Sequence, residues 1–432
     1  MESLLSATRI ATLAAGLVLS WMMACGPTAP LSHGLVISPP RIVLRPGDTL
    51  QLTATIHGHG VDSVHAIHWS SLNDRVAVVS VVGTVRAVAV GVALIVAATD
   101  SEADTVLAAV HPPALRALAA ARGFVMGTSV DVNALRLDPQ FRQQLAAEYN
   151  GVTSEWAMKF GPIHPRMLVY NFTEADRLVA FAKSSDMTVH GHTLVWGEGL
   201  PAWVSQGKLT TTQLLAVLHD HITTVVGRYR GSIASWDVVN EVVDDSVPLR
   251  NTLWLQVIGP AYIDSAFVWA HRADPTARLY LNENHAEGIT AKSTRLLALV
   301  RGLRARGIPI DGVGFQAHLV LSPAPPAAAD IQANFSRFAA AGFDIRVSEM
   351  DVRVPDTASS AALEQEAELY RAVLDACLRI GTRCTGFTSW GFTDKYSWIP
   401  KFYPRYGRAL PFDASYQPKP ADDSLAARLQ QP

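Results

Sequence analysis

The stretch "SWDVVNE" (235–241) opens with bulky and β-branched residues suited to a buried strand and finishes on an amide and an acid, Asn240 and Glu241. "FDIRVSEMD" (343–351) repeats the plan and finishes on Glu349 and Asp351. Other strand-like runs end in the same way, with Glu155 in "YNGVTSE", His192 in "MTVHGHTLVW", Asn282 in "RLYLNE", and Gln316 and His318 in "DGVGFQAHL". One polar strand end is ordinary, because strands end at the surface. Six consecutive strands ending so imply a shared face on which chemistry is done. Two carboxylates that can flank a bond, one protonated and one ionised, are the equipment of glycoside hydrolysis. The spacing in sequence does not say how far apart they stand.

The elements that must position these groups are legible over residues 112–432. Eight short apolar strands, the six above with "GFVMGTS" before them and "CTGFTSW" after them, alternate with amphipathic stretches at 174–184, 211–228, 291–306, 327–341 and 361–380. Eight βα units predict a (β/α)8 TIM barrel, whose active site lies at the C-terminal ends of its strands. Residues 35–111 have another texture. "TLQLTATI", "HAIHWSS" and "VAVVSVVGTVRAVAVGVALIVAAT" predict a small all-β antiparallel sandwich, and "HPPA" (111–114) marks the linker. The order PGDT, WSSLND, VGTVRAVAVG resembles bacterial immunoglobulin-like domains, which implies a spacer or adhesive stalk. "HGHG" (57–60) reads as a polar hairpin loop in preference to a metal site.

The first 24 residues read as an export signal of the lipoprotein type, followed by a linker over 25–34. Arg9 precedes "IATLAAGLVLSWMMAC", Ala24 sits before Cys25, and "GPTAP" follows. This resembles a signal in which the cysteine is acylated, although Met22 stands where Leu is usual; ordinary signal-peptidase cleavage is the alternative. Cys25 is thus the lipidation candidate, and the protein is expected to be exported, anchored at the cell envelope or surface, or otherwise secreted. That leaves Cys377 and Cys384 as a disulfide candidate in an oxidising compartment. A formal net charge of −2 gives no reason to expect nucleic acid. Of ten Trp residues, eight follow residue 150. Aromatic rings there suit sugars as well as a core.

Residues 115–425 resemble glycoside hydrolase family 10, the retaining endo-β-1,4-xylanases. The motifs are "HGHTLVW", "LPAWV", "WDVVNE", "PIDGVGFQAHL", "VSEMD" and "SWGFTDKYSW", in family order over nearly the whole region. The resemblance implies Glu241 as acid/base, Glu349 as nucleophile, His318 as the histidine bonded to that nucleophile, Asp351 as its support and Asn240 as the amide that meets the sugar 2-hydroxyl. It further implies Glu155, Lys159, His192, Trp196, Asn282, Gln316, Trp390 and Trp398 as substrate-binding residues, with xylan or a related β-glycan as the substrate. Three segments depart from the family. "EWAMKF" puts Trp156 where a sugar-binding Asn is usual, either as a core residue or as a new sugar platform. "GEG" (197–199) replaces "HSQ", and "NENH" puts Asn284 where an aromatic is usual.

His190 and His192 form an H-x-H, which in amidohydrolase barrels binds zinc after the first strand; here it falls on the third, and no metal or other cofactor is expected. The contrasting reading is a surface glycan-binding or adhesion protein that has lost catalysis, or a retaining hydrolase of a different β-glycoside. A monomer is expected.

Overall fold

A computed structural model describes residues 34–57 and 66–432; the signal segment, Cys25 and most of "HGHG" lie outside them. The chain divides into two compact units, with the division between His111 and Pro112. Among the described residues no helix is long and apolar enough to cross a membrane.

Among its described residues the N-terminal unit is built of strands and turns. Gly34–Ser38 pairs with Thr53–His57, and Thr49–Gln51, Thr84–Ala87 and Ala77–Val79 form a second sheet. Ile42–Leu44, Ala103–Val110, Gly91–Ala98 and His68–Ser71 form a third. Leu35, Ile37, Ile42, Leu52, Val85, Ile95 and Val106 are buried as its core. The expectation of a purely antiparallel sandwich is corrected at one edge, where Ile42 pairs with Ala108 and Leu44 with Val110 in parallel. Pro39 and Pro40 explain it. They lack the N–H that would continue the pairing with Thr53–His57, so the chain leaves one sheet after Ser38 and joins another at Ile42.

The C-terminal unit is a closed ring of eight parallel strands: Met126–Val130, Gly151–Ser154, Thr188–Gly191, Ser235–Asn240, Arg278–Glu283, Gly312–Phe315, Asp344–Pro355 and Cys384–Ser389. Each pairs with the next, and the eighth closes on the first with Met126 opposite Phe387. Strand four is buried at every position, as expected where helices cover one face and barrel side chains fill the other. The helix Thr211–Arg228 illustrates the outer layer. Thr210 and Gln213 form a reciprocal capping box at its start, and Leu214, Leu218, Ile222 and Val225 make the buried stripe. Each such residue contributes about 1.5–3 kcal/mol by leaving water.

Two of the expected strands end early. Strand three stops at Gly191 instead of running on to Trp196, and a Cβ on Gly191 would lie 2.1 Å from the Trp236 ring. Strand six breaks after Phe315 and resumes at His318–Val320, because Ala317 takes a left-handed φ of 60°. Helices not marked in the sequence include Ala261–Ala273 and Pro420–Gln430. Cys377, near the end of the helix Ser360–Leu378, is disulfide-bonded to Cys384 at the start of strand eight, with Cα atoms 5.3 Å apart.

Candidate active site

Strand four slips its register against strand five between Asp237 and Val239, and beyond the slip Asn240 pairs with Asn282. A local irregularity of this kind re-aims the residues that follow it. Glu241 then adopts a left-handed φ of 56°, a conformation costing a non-glycine residue about 1–3 kcal/mol. Its backbone N–H donates to the Asn282 carbonyl at 2.9 Å. The side chain is held at both oxygens: Gln316 Nε2 donates to Oε1 at 3.0 Å, and Arg250 Nη1 lies 2.8 Å from Oε2.

From there one hydrogen-bonded chain runs to the second carboxylate. Gln316 Nε2 also reaches Asn240 Oδ1 at 3.3 Å, and Asn282 Nδ2 donates to that same oxygen at 2.9 Å and to Glu349 Oε1 at 2.6 Å. His318 Nε2 stands 3.1 Å from Glu349 Oε2, while its Nδ1 stands 2.8 Å from Asp351 Oδ2. Trp398 Nε1 donates to Asp351 Oδ2 at 2.8 Å. Strands four, five, six and seven thus bring Glu241 and Glu349 into one network.

The charges in this network are unequal. Burial alone would lower the His318 pKa, but Asp351 and Glu349 outweigh it and raise it to about 10, so the ring carries a proton on both nitrogens at neutral pH. Burial alone would raise the Glu349 pKa; His192, His318 and Lys159 outweigh that and hold it below the ordinary carboxylate value. Glu349 is therefore an ionised, hydrogen-bonded carboxylate with a nucleophile's charge. Burial, helped by Asp131, pushes Glu155 up to about 7, and burial pulls Lys159 down against the surrounding glutamates.

The other expected residues fall around this centre. Lys159 Nζ lies 4.5 Å from the centre of the Trp196 ring and 5.7 Å from that of Trp390. Trp390 stands edge-on to His192, with ring centres 5.1 Å apart. Asn282, expected among the substrate-binding residues, lies inside the network that joins the two carboxylates. It is wholly buried, both hydrogens of its amide are spent on Asn240 and Glu349, and its Oδ1 accepts from Ser348 Oγ at 2.6 Å. His190 and His192 share Asp237, at 3.0 and 2.9 Å from its Oδ2, and His190 also bonds Ser235 at 2.6 Å. Among the described residues no three His, Cys, Asp or Glu side chains gather as metal ligands. Trp156 is 53% exposed, which removes the core reading.

Three polar residues were missed. Arg250 reaches Glu241 from a loop nine positions on. Lys292 Nζ lies 2.6 Å from Asn284 Oδ1 and 3.1 Å from the buried Glu283. Glu287 accepts the Ala317 N–H at 2.8 Å and so supports the break before His318. Arg250 lies in a loop without periodicity, so only its distance to Glu241 in space identifies it.

Comparison with known proteins matches both units. Residues 34–110 match the bacterial Ig-like domain (group 2), and residues 114–428 match glycosyl hydrolase family 10. The chain is 44% identical over 275 residues to endo-1,4-beta-xylanase B of Thermotoga neapolitana, a match spanning 63% of this chain and 78% of that one. It is 36% identical over 316 residues to endo-1,4-beta-xylanase C of Phanerodontia chrysosporium, spanning 72% and 78%. Native xylanase 10B from Thermotoga maritima superposes with a TM-score of 0.71 at 41% identity, covering 73% of this chain and 98% of that structure. Xylanase 10B from Thermotoga petrophila RKU-1, solved with xylobiose, gives 0.71 at 40% identity, covering 73% and 97%. With that family matched across almost the whole barrel, and with two carboxylates joined at its strand ends, the chain belongs to glycosyl hydrolase family 10.

Proposed function

We propose that the protein is an endo-acting retaining hydrolase of β-1,4-xylosidic bonds in xylan, working through a glycosyl-enzyme intermediate. The observation that carries this reading is the single network that holds Glu241 and Glu349 in different charge environments. Glu349 attacks the anomeric carbon while Glu241 gives its proton to the departing glycosidic oxygen, so the C–O bond to the leaving chain breaks as the bond to Glu349 forms. Glu241, now ionised, takes a proton from water, whose oxygen displaces Glu349 and restores the original anomeric configuration. Asn240 is the amide placed to meet the 2-hydroxyl of the transferred sugar. His318, held by Asp351, keeps the nucleophile ionised. Among the departures, Trp156, Gly197, Gly199 and Asn284 bear on which xylan decoration is preferred. The Arg9-to-Cys25 pattern supports export with a lipid on Cys25, and the family match over residues 114–428 supports residues 112–432 as the catalytic domain.

Proton NMR of the whole chain acting on xylan tests the reaction. The β-anomer is expected first, converting slowly to the equilibrium mixture. An early α-anomer, or no product from any xylan, would overturn the reading. The charge argument has its own test. Removing His318 takes a positive partner from Glu349, so the nucleophile's pKa rises and the acid limb of kcat/KM moves to higher pH. His318→Ala is expected to shift that limb up by about one pH unit or more, measured as a pH profile. An unmoved limb would assign His318 no electrostatic part.

A further inference from the structure

The inference rests on the hydrolase reading and concerns the far end of strand seven and the loop after strand eight. Strand seven runs past the nucleophile to Pro355. Glu349 and Asp351 meet the two ring nitrogens of His318, while Met350, Val352 and Val354 pack into the hydrophobic core. By the alternation of a strand, Arg353 lies on the face of Glu349 and Asp351, about 13 Å beyond the nucleophile along the backbone. Side chains join the two places. Trp398, whose Nε1 donates to Asp351, has its ring centre 5.8 Å from that of Tyr403, and the Arg353 guanidinium lies 4.1 Å from the Tyr403 ring centre. Tyr406–Gly407 pairs with Val354 and Pro355, which ties this loop to the end of strand seven.

Among the described residues Arg353 has no carboxylate partner, and its Nε is buried without a hydrogen-bond acceptor. A buried donor left so costs free energy that a bound acceptor returns. Two further cations, Lys401 and Arg405, are exposed on the loop after strand eight and are likewise outside any ion pair. Asp356, the acid nearest in sequence, neutralises none of the three. Lys401 also faces the cleft: burial and Asp131 push Glu155 up, and Lys159 and Lys401 oppose them. Beside these charges Phe402 is 61% exposed and Tyr403 37%. An uncharged xylose backbone has no group that calls for unpaired cations at the rim of its cleft. We infer that Arg353, stacked on Tyr403, with Lys401 on the same loop as that ring, is a binding site for the carboxylate of a uronic acid substituent, so that the protein favours acid-decorated xylan over neutral xylan. The planar fork of a guanidinium matches a carboxylate at two oxygens, and an exposed aromatic face suits the C–H side of the sugar that carries it.

The test uses the whole chain and two polymers that differ only in charge: a xylan bearing glucuronic acid side groups, and the same xylan with those carboxyls reduced to alcohols. The unaltered protein is expected to show kcat/KM about tenfold or more higher on the acidic polymer, with the preference narrowing as salt is raised. Arg353→Gln should lose most of that preference, mainly through KM, with little change on the reduced polymer. Arg353→Lys should recover part of it, since the charge returns without the fork. Lys401→Gln, at an exposed position that leaves the Arg353–Tyr403 stack untouched, should give a smaller loss in the same direction. Equal rates of the unaltered protein on the two polymers, or equal losses on both in the variants, would overturn the site. If the unaltered protein hydrolyses neither polymer, the hydrolase reading itself fails, which is a different result.

Discussion

Glu349→Ala is expected to lose about 10⁴-fold or more in kcat on xylan, because no other group stands where the covalent bond to the sugar must form. Asn282 Nδ2 and His318 Nε2 converge on its two oxygens at 2.6 and 3.1 Å, which orients the carboxylate and keeps it ionised. Alanine removes the nucleophile and leaves both donors in place, with Asp351 still paired to His318. The cleft should therefore keep its shape, and circular dichroism with a thermal melt checks that it does. A 2-deoxy-2-fluoro xylobioside with a dinitrophenyl leaving group gives the direct readout. The fluorine slows both steps while the activated leaving group speeds the first, so the intermediate accumulates. Mass spectrometry should find the sugar on the peptide containing Glu349 in the unaltered protein and on no peptide in the variant. A label on another carboxylate, or wild-type turnover by the variant, would reassign the nucleophile.

The two carboxylates that the structure joins in one network, Glu241 and Glu349, were legible in the sequence for a physical reason. The apolar residues of "SWDVVNE" and "RVSEMD" set off the acids that close each motif, although Asp237, Asp344 and Arg346 are buried polar groups in the same strands. The eight strands were legible on the same ground. What stayed hidden depended on neighbours distant in the chain. Asn282 looks like any polar strand end until Ser348, Asn240 and Glu349 are seen to consume its amide. Position 191 must be glycine because Trp236, forty-five positions on, occupies the space beside it. Trp156 precedes the buried Ala157 and Met158 in "EWAMKF", where its exposure has no local signature, and the slip between Asp237 and Val239 leaves no mark in "WDVVN" at all.

Glu241→Ala is expected to show a loss that depends on the leaving group, which separates an acid from a merely structural carboxylate. Xylan departs as a sugar alkoxide and needs a proton, so a loss of about 10²–10⁴-fold is expected there. A dinitrophenolate departs unaided, so formation of the glycosyl-enzyme from an aryl xylobioside should change little. The second step then becomes slow, because water has lost its base, and the intermediate should build up as a burst of phenolate. Azide needs no base to attack. Added azide should restore turnover and yield the β-xylosyl azide, whereas the Glu349→Ala variant, attacked directly by azide, should give the α-product. The two carboxylates are thereby told apart by product stereochemistry as well as by rate. Gln316 and Arg250 each hold one oxygen of Glu241, at 3.0 and 2.8 Å, and so fix the direction in which the carboxyl points. A uniform loss across leaving groups, with no response to azide, would leave Glu241 a structural residue and send the search for the acid to Glu155.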